Sequence, residues 1–231
     1  IYAAVSAAAV SEATDLSNTA INPTSVTITA SEVGVMTTLT DLARNSAPRN
    51  VAADIGRLFG EAVAKKQDTD LTALFDGFST AVGDGTAALT AAGVFNAAST
   101  LRAAALNLND SAVVLHPKIA FDLKANLTNT FANPNGGDLQ NEAMRSGFVG
   151  SLAGIRIFET SNISNTGNAG DYKGAAFHRD ALALAEMQGL KIETQRDASL
   201  RADEIVATSV YGVGEIHDSY GVEIHMDSSI Q

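Results

Sequence analysis

The chain has 231 residues and contains neither cysteine nor tryptophan. Without cysteine it has no disulfide bond, no thiolate nucleophile and no zinc site of the cysteine type. No uninterrupted apolar run approaches the roughly 20 residues that a membrane-spanning helix requires. The Ala-rich residues 1–10 are too short to span a membrane and lack a basic flank and a cleavage site, so we expect no signal sequence there. Something other than disulfides must therefore provide any robustness of the protein's assembly.

Basic residues are also scarce. Lys and Arg number 15 against 26 Asp and Glu, which gives a formal net charge of −11. After Arg201 there is no further Lys or Arg, and the remaining carboxylates are Asp203, Glu204, Glu215, Asp218, Glu223 and Asp227. Proteins that hold nucleic acid by neutralising phosphates usually carry a basic face. We therefore expect no tight, direct contact with nucleic acid, although an acidic wall along which packed DNA slides is compatible with this composition.

The first 30 residues have the pattern of a long β-hairpin. Residues 1–10 are small and apolar, a polar stretch follows, and residues 25–29 alternate polar and β-branched side chains as a half-buried strand does. An isolated two-stranded ribbon is only marginally stable in water. We therefore expect this hairpin to lie on another surface, either of the same chain or of a neighbouring copy.

The strongest helix signal follows the hairpin. Ser46 is a suitable N-cap, and Pro48 stands near the first helical position, where its missing N–H costs nothing. Apolar residues then recur at helical spacing. They are Val51, Ile55, Leu58, Phe59, Val63, Leu71, Leu74, Phe75 and Phe78. Gly77, near the end of this pattern, is the predicted end of the helix. An unbroken helix of roughly 25 to 30 residues would be about 40 Å long, which is long for a compact domain.

The remaining sequence predicts a compact mixture of helices and strands. Helices are expected within residues 86–108 and from Pro117 onward, and polar loops at 128–141 and 161–171. Short strands are predicted at 112–115, 148–158, 175–178, 181–185 and 190–194. Residues 204–216 and 222–226 read as two strands of a hairpin across a turn at 218–221.

No catalytic or cofactor-binding motif is present, so we predict no catalytic residue, no cofactor and no metal. The one arrangement with ligand chemistry is the near repeat of Glu215 and His217 with Glu223 and His225, because residues two apart share a strand face. In the predicted hairpin register, however, His217 and His225 lie on opposite faces. Polar residues on exposed strand faces are therefore the favoured interpretation. A metal-binding enzyme that uses His217 and His225 is the alternative from another functional class.

The order of hairpin, long helix, compact α/β lobe and final strands resembles the Hong Kong 97-type capsid protein fold of tailed phages. The stretches that carry the resemblance are SAVVLHP at 111–117 with Phe121 and Leu123, GSLAGIRIFETS at 150–161, GAAFHRDA at 174–181, and Tyr211-Gly212. The resemblance implies an α+β fold with four parts. These are an E-loop hairpin (1–30), the P-domain entry and spine helix (31–85), most of the A domain (86–160), and the A-domain remainder with P-domain strands (161–231).

The family usually carries a further N-terminal extension before the E-loop, whereas this sequence starts within the first predicted strand of the hairpin. The resemblance implies a major capsid protein, and not an enzyme, that self-assembles through pentamers and hexamers into an icosahedral shell enclosing a phage dsDNA genome. It places the protein in the virion, assembled in the host cytoplasm and without a membrane. Scaffolding, portal and cementing proteins are the expected partners.

The polar hairpin tip and the two polar loops are where we expect contacts between subunits, because long loops in a chain without a catalytic motif work by contact. The expected contact residues are Glu12, Asp15, Asn18, Asn22, Asn133, Asn135, Asp138 and Asn165. An encapsulin-type nanocompartment shell, which shares the fold, is the nearest alternative. A monomeric carbohydrate-binding β-protein is a weaker one, which the long helix disfavours.

Overall fold

The computed structural model describes residues 7, 9–12, 15, 18, 20–21, 23–46, 50–131, 150–165 and 170–230, with the backbone alone at 128–131. The described helices are α1 Asp41–Ser46, α2 Val51–Thr72, α3 Ala91–Ala103 and α4 Pro117–Phe131. The described strands are β1 Ser31–Thr40, β2 Ala81–Val82, β3 Ser111–Leu115, β4 Ser151–Leu152, β5 Ile155–Glu159, β6 Asp171–His178, β7 Leu182–Asp197, β8 Ala202–Glu215 and β9 Gly221–Asp227. None of the described helices is long and apolar enough to cross a membrane.

The first of two sheets is antiparallel, with strand order β1-β8-β7. Strands β1 and β8 alternate in burial, as expected when one face of a sheet meets the core. Helix α2 covers that face, where Phe59 packs with Leu39, Ile205 and Ala207. The apolar stripe predicted for the helix is therefore its packing surface.

Helix α2 runs for 22 residues, about 33 Å, and a 3-10 helix over Ala73–Gly77 continues it. The α-helix and the 3-10 helix together end at Gly77, the predicted stop. The predicted N-cap is wrong, because Ser46 ends the separate helix α1 and the cap is Asn50. The side chain of Asn50 accepts a hydrogen bond from the Ala53 N–H at 3.4 Å. The predicted role of Pro48 lies outside the described residues.

The second sheet has six strands in the order β2-β9-β6-β3-β5-β4. Helices α3 and α4 pack on one face through Val94, Leu101, Ile119 and Leu123, which are all buried. The 3-10 helix after α2 packs on the opposite face through Phe75, next to Phe78. The six-stranded sheet is therefore the central layer of the larger lobe.

Several short elements form where the pattern predicts them. Strand β3 is buried, helix α4 begins at Pro117, one helix occupies the 86–108 region, and β4 and β5 flank Gly154. Each depends on signals within a few residues, such as a proline at the first helical position or a tight turn.

The predicted hairpin of 204–216 with 222–226 is wrong. Strand β8 pairs with β1 and β7 in the first sheet, whereas β9 pairs with β6 and β2 in the second. The backbone N–H groups of Ile216 and His217 donate to Ala181 O at 2.7 and 3.2 Å, and a 3-10 turn at Asp218–Tyr220 then redirects the chain. The alternating pattern fixes which side chains share a face but does not select the partner strand.

The strand predicted at 25–29 is also not formed, because residues 24–30 belong to no helix or strand and pairing begins at Ser31. Of the predicted hairpin over residues 1–30, residues 1–6, 8, 13–14, 16–17, 19 and 22 lie outside the described residues, and none of the described ones belongs to a strand.

Candidate assembly surfaces

Every described residue between positions 7 and 27 is exposed. Among them the apolar side chains of Val10, Ile21 and Val26 expose between 44% and 55% of their surface. Exposing several apolar side chains along one segment is unfavourable in water, so such segments commonly mark sites of contact with another molecule. We call residues 7–27 the N-terminal arm.

The N-terminal arm joins the body of the protein across the first sheet, on the face opposite α2. A side chain at Gly212 would come within 2.6 Å of Thr29 O, and one at Gly214 within 2.8 Å of an Ile28 carbon. These two glycines of β8 therefore allow Ile28 and Thr29 to lie closely over the sheet. The arm starts from this face.

The rest of that face carries a mixture of exposed polar and apolar side chains, including Met36 on β1. Strand β7 forms one edge of the sheet, and its side chains are exposed along most of its 16 residues. Met187 is 81% exposed, and Leu190 and Ile192 are more than 40% exposed. A long edge strand offers unpaired N–H and C=O groups as well as side chains, so it is a natural contact surface.

The far end of the same sheet is held by a charged network. Arg196 donates two hydrogen bonds to Asp41, at 2.6 and 2.7 Å, and a third to Asp203 at 3.3 Å. Arg44 also pairs with Asp203. The hydrogen bond from Arg196 is the main reason that the pKa of Asp41 is lowered. The network orders this end of the sheet, where Leu42 is 79% exposed.

A cleft of about 590 Å³ lies between the end of α2, the loop after β5, and strands β6 and β9. Lys173 contacts Asp76 at its rim and Glu223 at 3.1 Å, and its hydrogen bond to Asp76 is the main cause of its raised pKa. His225 Nε2 lies 2.6 Å from Asp171 Oδ1, without the alignment of a hydrogen bond. The ionisable side chains at this cleft thus contact one another.

The structure separates the two histidines of the alternative metal site. His217 stacks on Tyr220 with ring centroids 4.5 Å apart, whereas His225 contacts Asp171. The hairpin that would have related them is not formed. Within the part of the chain that the structure describes, no group of three or more His, Asp or Glu side chains could hold a metal ion.

The other two histidines occupy packed positions. His116 stacks on Tyr172 with ring centroids 3.6 Å apart, and burial is the main cause of its lowered pKa. His178 is buried and meets Tyr220 edge to face.

Of the predicted contact residues, Glu12, Asp15 and Asn18 are exposed on the N-terminal arm. Asn165 is exposed, forms an isolated bridge with Tyr172 and lines the polar cleft. Asn22, Asn133, Asn135 and Asp138 lie outside the described residues. Sequence reasoning missed the edge of β7 and the charged end of the first sheet. The only available signal was the alternation over 190–194, which reveals a strand but not that it is an edge.

Comparison with protein families identifies the chain. A family model described as phage capsid protein matches residues 2–222. The chain belongs to this family. Its resemblance to tailed-phage major capsid proteins is thereby confirmed, and its function is to form the capsid shell of the virion. The family is a structural one.

Solved structures confirm the Hong Kong 97-type α+β fold. A protein of Mycobacterium phage Che8 is 25% identical with a TM-score of 0.76, over 91% of this chain and 76% of that chain. The capsid structure of cyanophage P-SCSP1u is 19% identical with a TM-score of 0.76, over 99% and 82%. The SrpI encapsulin of Synechococcus elongatus is 13% identical with a TM-score of 0.65, over 87% and 75%. None of the curated proteins compared with the chain matches it significantly.

Proposed function

We propose that this capsid protein assembles through pentamers and hexamers into an icosahedral shell that encloses a phage dsDNA genome. The observation that supports this proposal most directly is the N-terminal arm, where Val10, Ile21 and Val26 leave about half of their apolar surface exposed. An arm of this kind gains burial when it lies on a neighbouring subunit. Many such modest contacts, repeated around a closed shell, make the assembly collectively stable.

The two sheets support a division of the chain into the four parts that the resemblance implies. Residues 1–30 are the E-loop, and 31–85 contain the P-domain entry and the spine helix α2. Residues 86–160 form most of the A domain, and 161–231 supply the remainder of the A domain together with P-domain strands. In this division β7 and β8 join the three-stranded P-domain sheet, whereas β6 and β9 complete the six-stranded A-domain sheet.

The polar residues singled out from the sequence are proposed to contact neighbouring subunits. Glu12, Asp15, Asn18 and Asn22 do so on the E-loop. The segments 128–141 and 161–171 do so around the centre of each pentamer and hexamer, through Asn133, Asn135, Asp138 and Asn165. The first of them was predicted to be a loop throughout, but residues 128–131 form the end of α4.

The protein acts by contact, without catalysis and without a cofactor. Its net charge of −11 favours a wall that encloses DNA without binding it tightly. Scaffolding, portal and cementing proteins are the proposed partners, and assembly takes place in the host cytoplasm. The encapsulin-type alternative shares the fold, so the contents of the shell distinguish the two: nuclease-protected DNA for the capsid, and a protein cargo for the nanocompartment.

The arm can be tested with the double substitution Ile21→Asp and Val26→Asp, because a charge cannot be buried cheaply in an apolar contact. We expect the wild type to form closed shells, pentamers or hexamers in negative-stain electron microscopy and light scattering, and the variant to remain a folded monomer by circular dichroism. Ser25→Asp, which adds a charge at an exposed polar position, is the matched control and should assemble. Normal shells from the double variant, or a wild type that stays monomeric under all conditions, would contradict the proposal.

A further inference from the structure

The two sheets are joined at one place, where three parts of the chain meet. The connection from β6 to β7 and the connection from β8 to β9 both pass from one sheet to the other. They are tied together because Ile216 and His217 donate their N–H groups to Ala181 O. The end of the spine helix reaches the same place, where the Phe78 ring packs directly against Gly221. We call this region the junction.

A pair of carboxyl groups lies at the junction. Asp218 accepts hydrogen bonds from the Ser79 N–H, at 2.7 Å, and from the Ser79 hydroxyl. Glu215, at the end of β8, is half-buried and reaches under the 3-10 helix, so that a side chain at Gly77 would come within 3.0 Å of its Oε2. Burial, then the charge of Asp218 and then a hydrogen bond to Asp218 raise the pKa of Glu215.

No basic side chain compensates this pair within the described residues, since neither carboxyl group has a Lys, Arg or His nitrogen within 4 Å. Two adjacent carboxylates without a cation repel each other, and sharing one proton removes that repulsion.

The other titratable groups around the junction have partners of their own. From the 3-10 helix, Asp76 pairs with Lys173. From the turn between β6 and β7, Arg179 lies 3.7 Å from Asp180 and 3.8 Å from Asp110, and His178 lies 3.4 Å from Asp180. From the turn after β8, His217 stacks on Tyr220. His217 is the ionisable side chain next to Asp218 in the sequence, so a variant at this position serves as a control.

We propose that Glu215 and Asp218 form a latch that holds the end of the spine helix against the junction and opens when Glu215 ionises. Asp218 remains anchored to Ser79, so Glu215 is the group that must move away. Because the junction joins the two sheets, the latch controls how rigidly one sheet is held relative to the other. Any effect on a shell rests on the proposed assembly, whereas the latch itself is a property of one subunit.

The direction of the pH dependence follows from the raised pKa of Glu215. A group whose pKa is higher in the folded state contributes stability that is fully present below its ordinary value of 4.5 and is lost as the pH rises through the raised value. The latch is therefore closed in acid and opens as the pH rises through the raised pKa of Glu215.

Hydrogen–deuterium exchange of the full chain, prepared as unassembled subunits, tests the latch between pH 4 and 8. Glu215→Gln keeps the shape of the side chain and supplies an N–H donor to Asp218 that does not titrate. Comparing the wild type with Glu215→Gln at each pH cancels the intrinsic pH dependence of exchange. We expect peptides covering 73–82 and 214–222 to exchange faster in the wild type as the pH rises, by about tenfold for each unit by which the pKa of Glu215 is raised.

Two further variants keep the outcome decisive. Asp218→Asn removes the repulsion between the two carboxylates, so its exchange should depend less on pH than that of the wild type. This comparison tests the latch even if Glu215→Gln folds poorly. His217→Gln should keep the wild-type pH profile. A constant ratio between wild type and Glu215→Gln across the pH range, or loss of the pH dependence in His217→Gln, would overturn the latch. Neither result bears on shell formation, which microscopy tests separately.

Discussion

At the scale of single residues, buried polar side chains connect the helices to the sheets. Tyr211 on β8 is only 2% exposed and donates a hydrogen bond to Asp70 of α2 at 2.8 Å. Asp122 on α4 is also buried, and it accepts a hydrogen bond from the Ser229 N–H at 2.9 Å. Burying such groups is tolerated because each has a partner. These contacts fix where a helix lies on its sheet and where the chain runs after β9.

We expect Tyr211→Phe to lower the free energy of unfolding by about 1 kcal/mol, because Asp70 loses a hydrogen bond but keeps its ion pair with Lys66. Chemical denaturation at neutral pH measures the change. Tyr220→Phe is the control and should have little effect, since the structure describes no hydrogen bond for that hydroxyl. Equal stability of Tyr211→Phe and the wild type would show that the contact contributes nothing.

The same pair predicts a pH dependence in alkali. Burial, and then the hydrogen bond to Asp70, raise the pKa of Tyr211 from 10.0 to about 12. Its contribution is therefore fully present below pH 10 and is lost as the pH rises through about 12, so the difference between wild type and Tyr211→Phe should shrink over that range.

At the scale of secondary structure elements, the spine helix α2 depends on its packing against the first sheet. Its apolar stripe meets Leu39, Ile205 and Ala207, and Phe59 is buried among them. Most of the stability of an amphipathic helix comes from such tertiary packing, since helical propensity alone is weak. Substitutions on the packed stripe and on the exposed side of the same turn should therefore differ sharply.

We expect the double substitution Ile55→Asp and Phe59→Asp to prevent folding, because it places two charges in an apolar contact and a native domain has only about 5 to 15 kcal/mol of stability. Leu58→Asp is the matched control, since Leu58 lies between them in sequence but is 54% exposed. Circular dichroism and gel filtration distinguish the two cases. A double variant that is soluble and unfolds cooperatively would show that this stripe does not anchor the helix.

At the scale of the whole molecule, two lobes share one acidic chain. Each lobe has its own apolar cluster, one between α2 and the three-stranded sheet and one between α3, α4 and the six-stranded sheet. The chain as a whole carries 26 acidic and 15 basic residues. A surface of this kind attracts cations and repels phosphates at a distance. Enclosure of DNA by such a protein depends on closing a shell, with little contribution from affinity.

We therefore expect no detectable binding of the unassembled protein to duplex DNA at physiological salt in a gel-shift or fluorescence-anisotropy assay. A basic duplex-binding protein of similar size serves as the positive control. Binding that weakens steeply with salt would reveal a phosphate contact that the overall charge does not predict.

Local patterns were enough to predict most helices and several strands. The spacing of Val51, Ile55 and Phe59 predicted α2 and its packed face, Pro117 predicted the start of α4, and Gly154 predicted the turn between β4 and β5. The contact residues could be predicted less well, because a polar loop residue is exposed in many different folds. Ser46 was misassigned since two helices, α1 and α2, follow each other where one was expected.

The sequence by itself determined the class of protein, because the order of its elements and the stretches at 111–117, 150–161 and 174–181 resemble the capsid family. Only the tertiary structure decided which strands pair. It placed β8 and β9 in different sheets, made β7 an edge, and brought Asp218 to Ser79, 139 residues away. The physical reason is that periodicity records which side of an element is buried, whereas the partner depends on contacts between residues far apart in the chain.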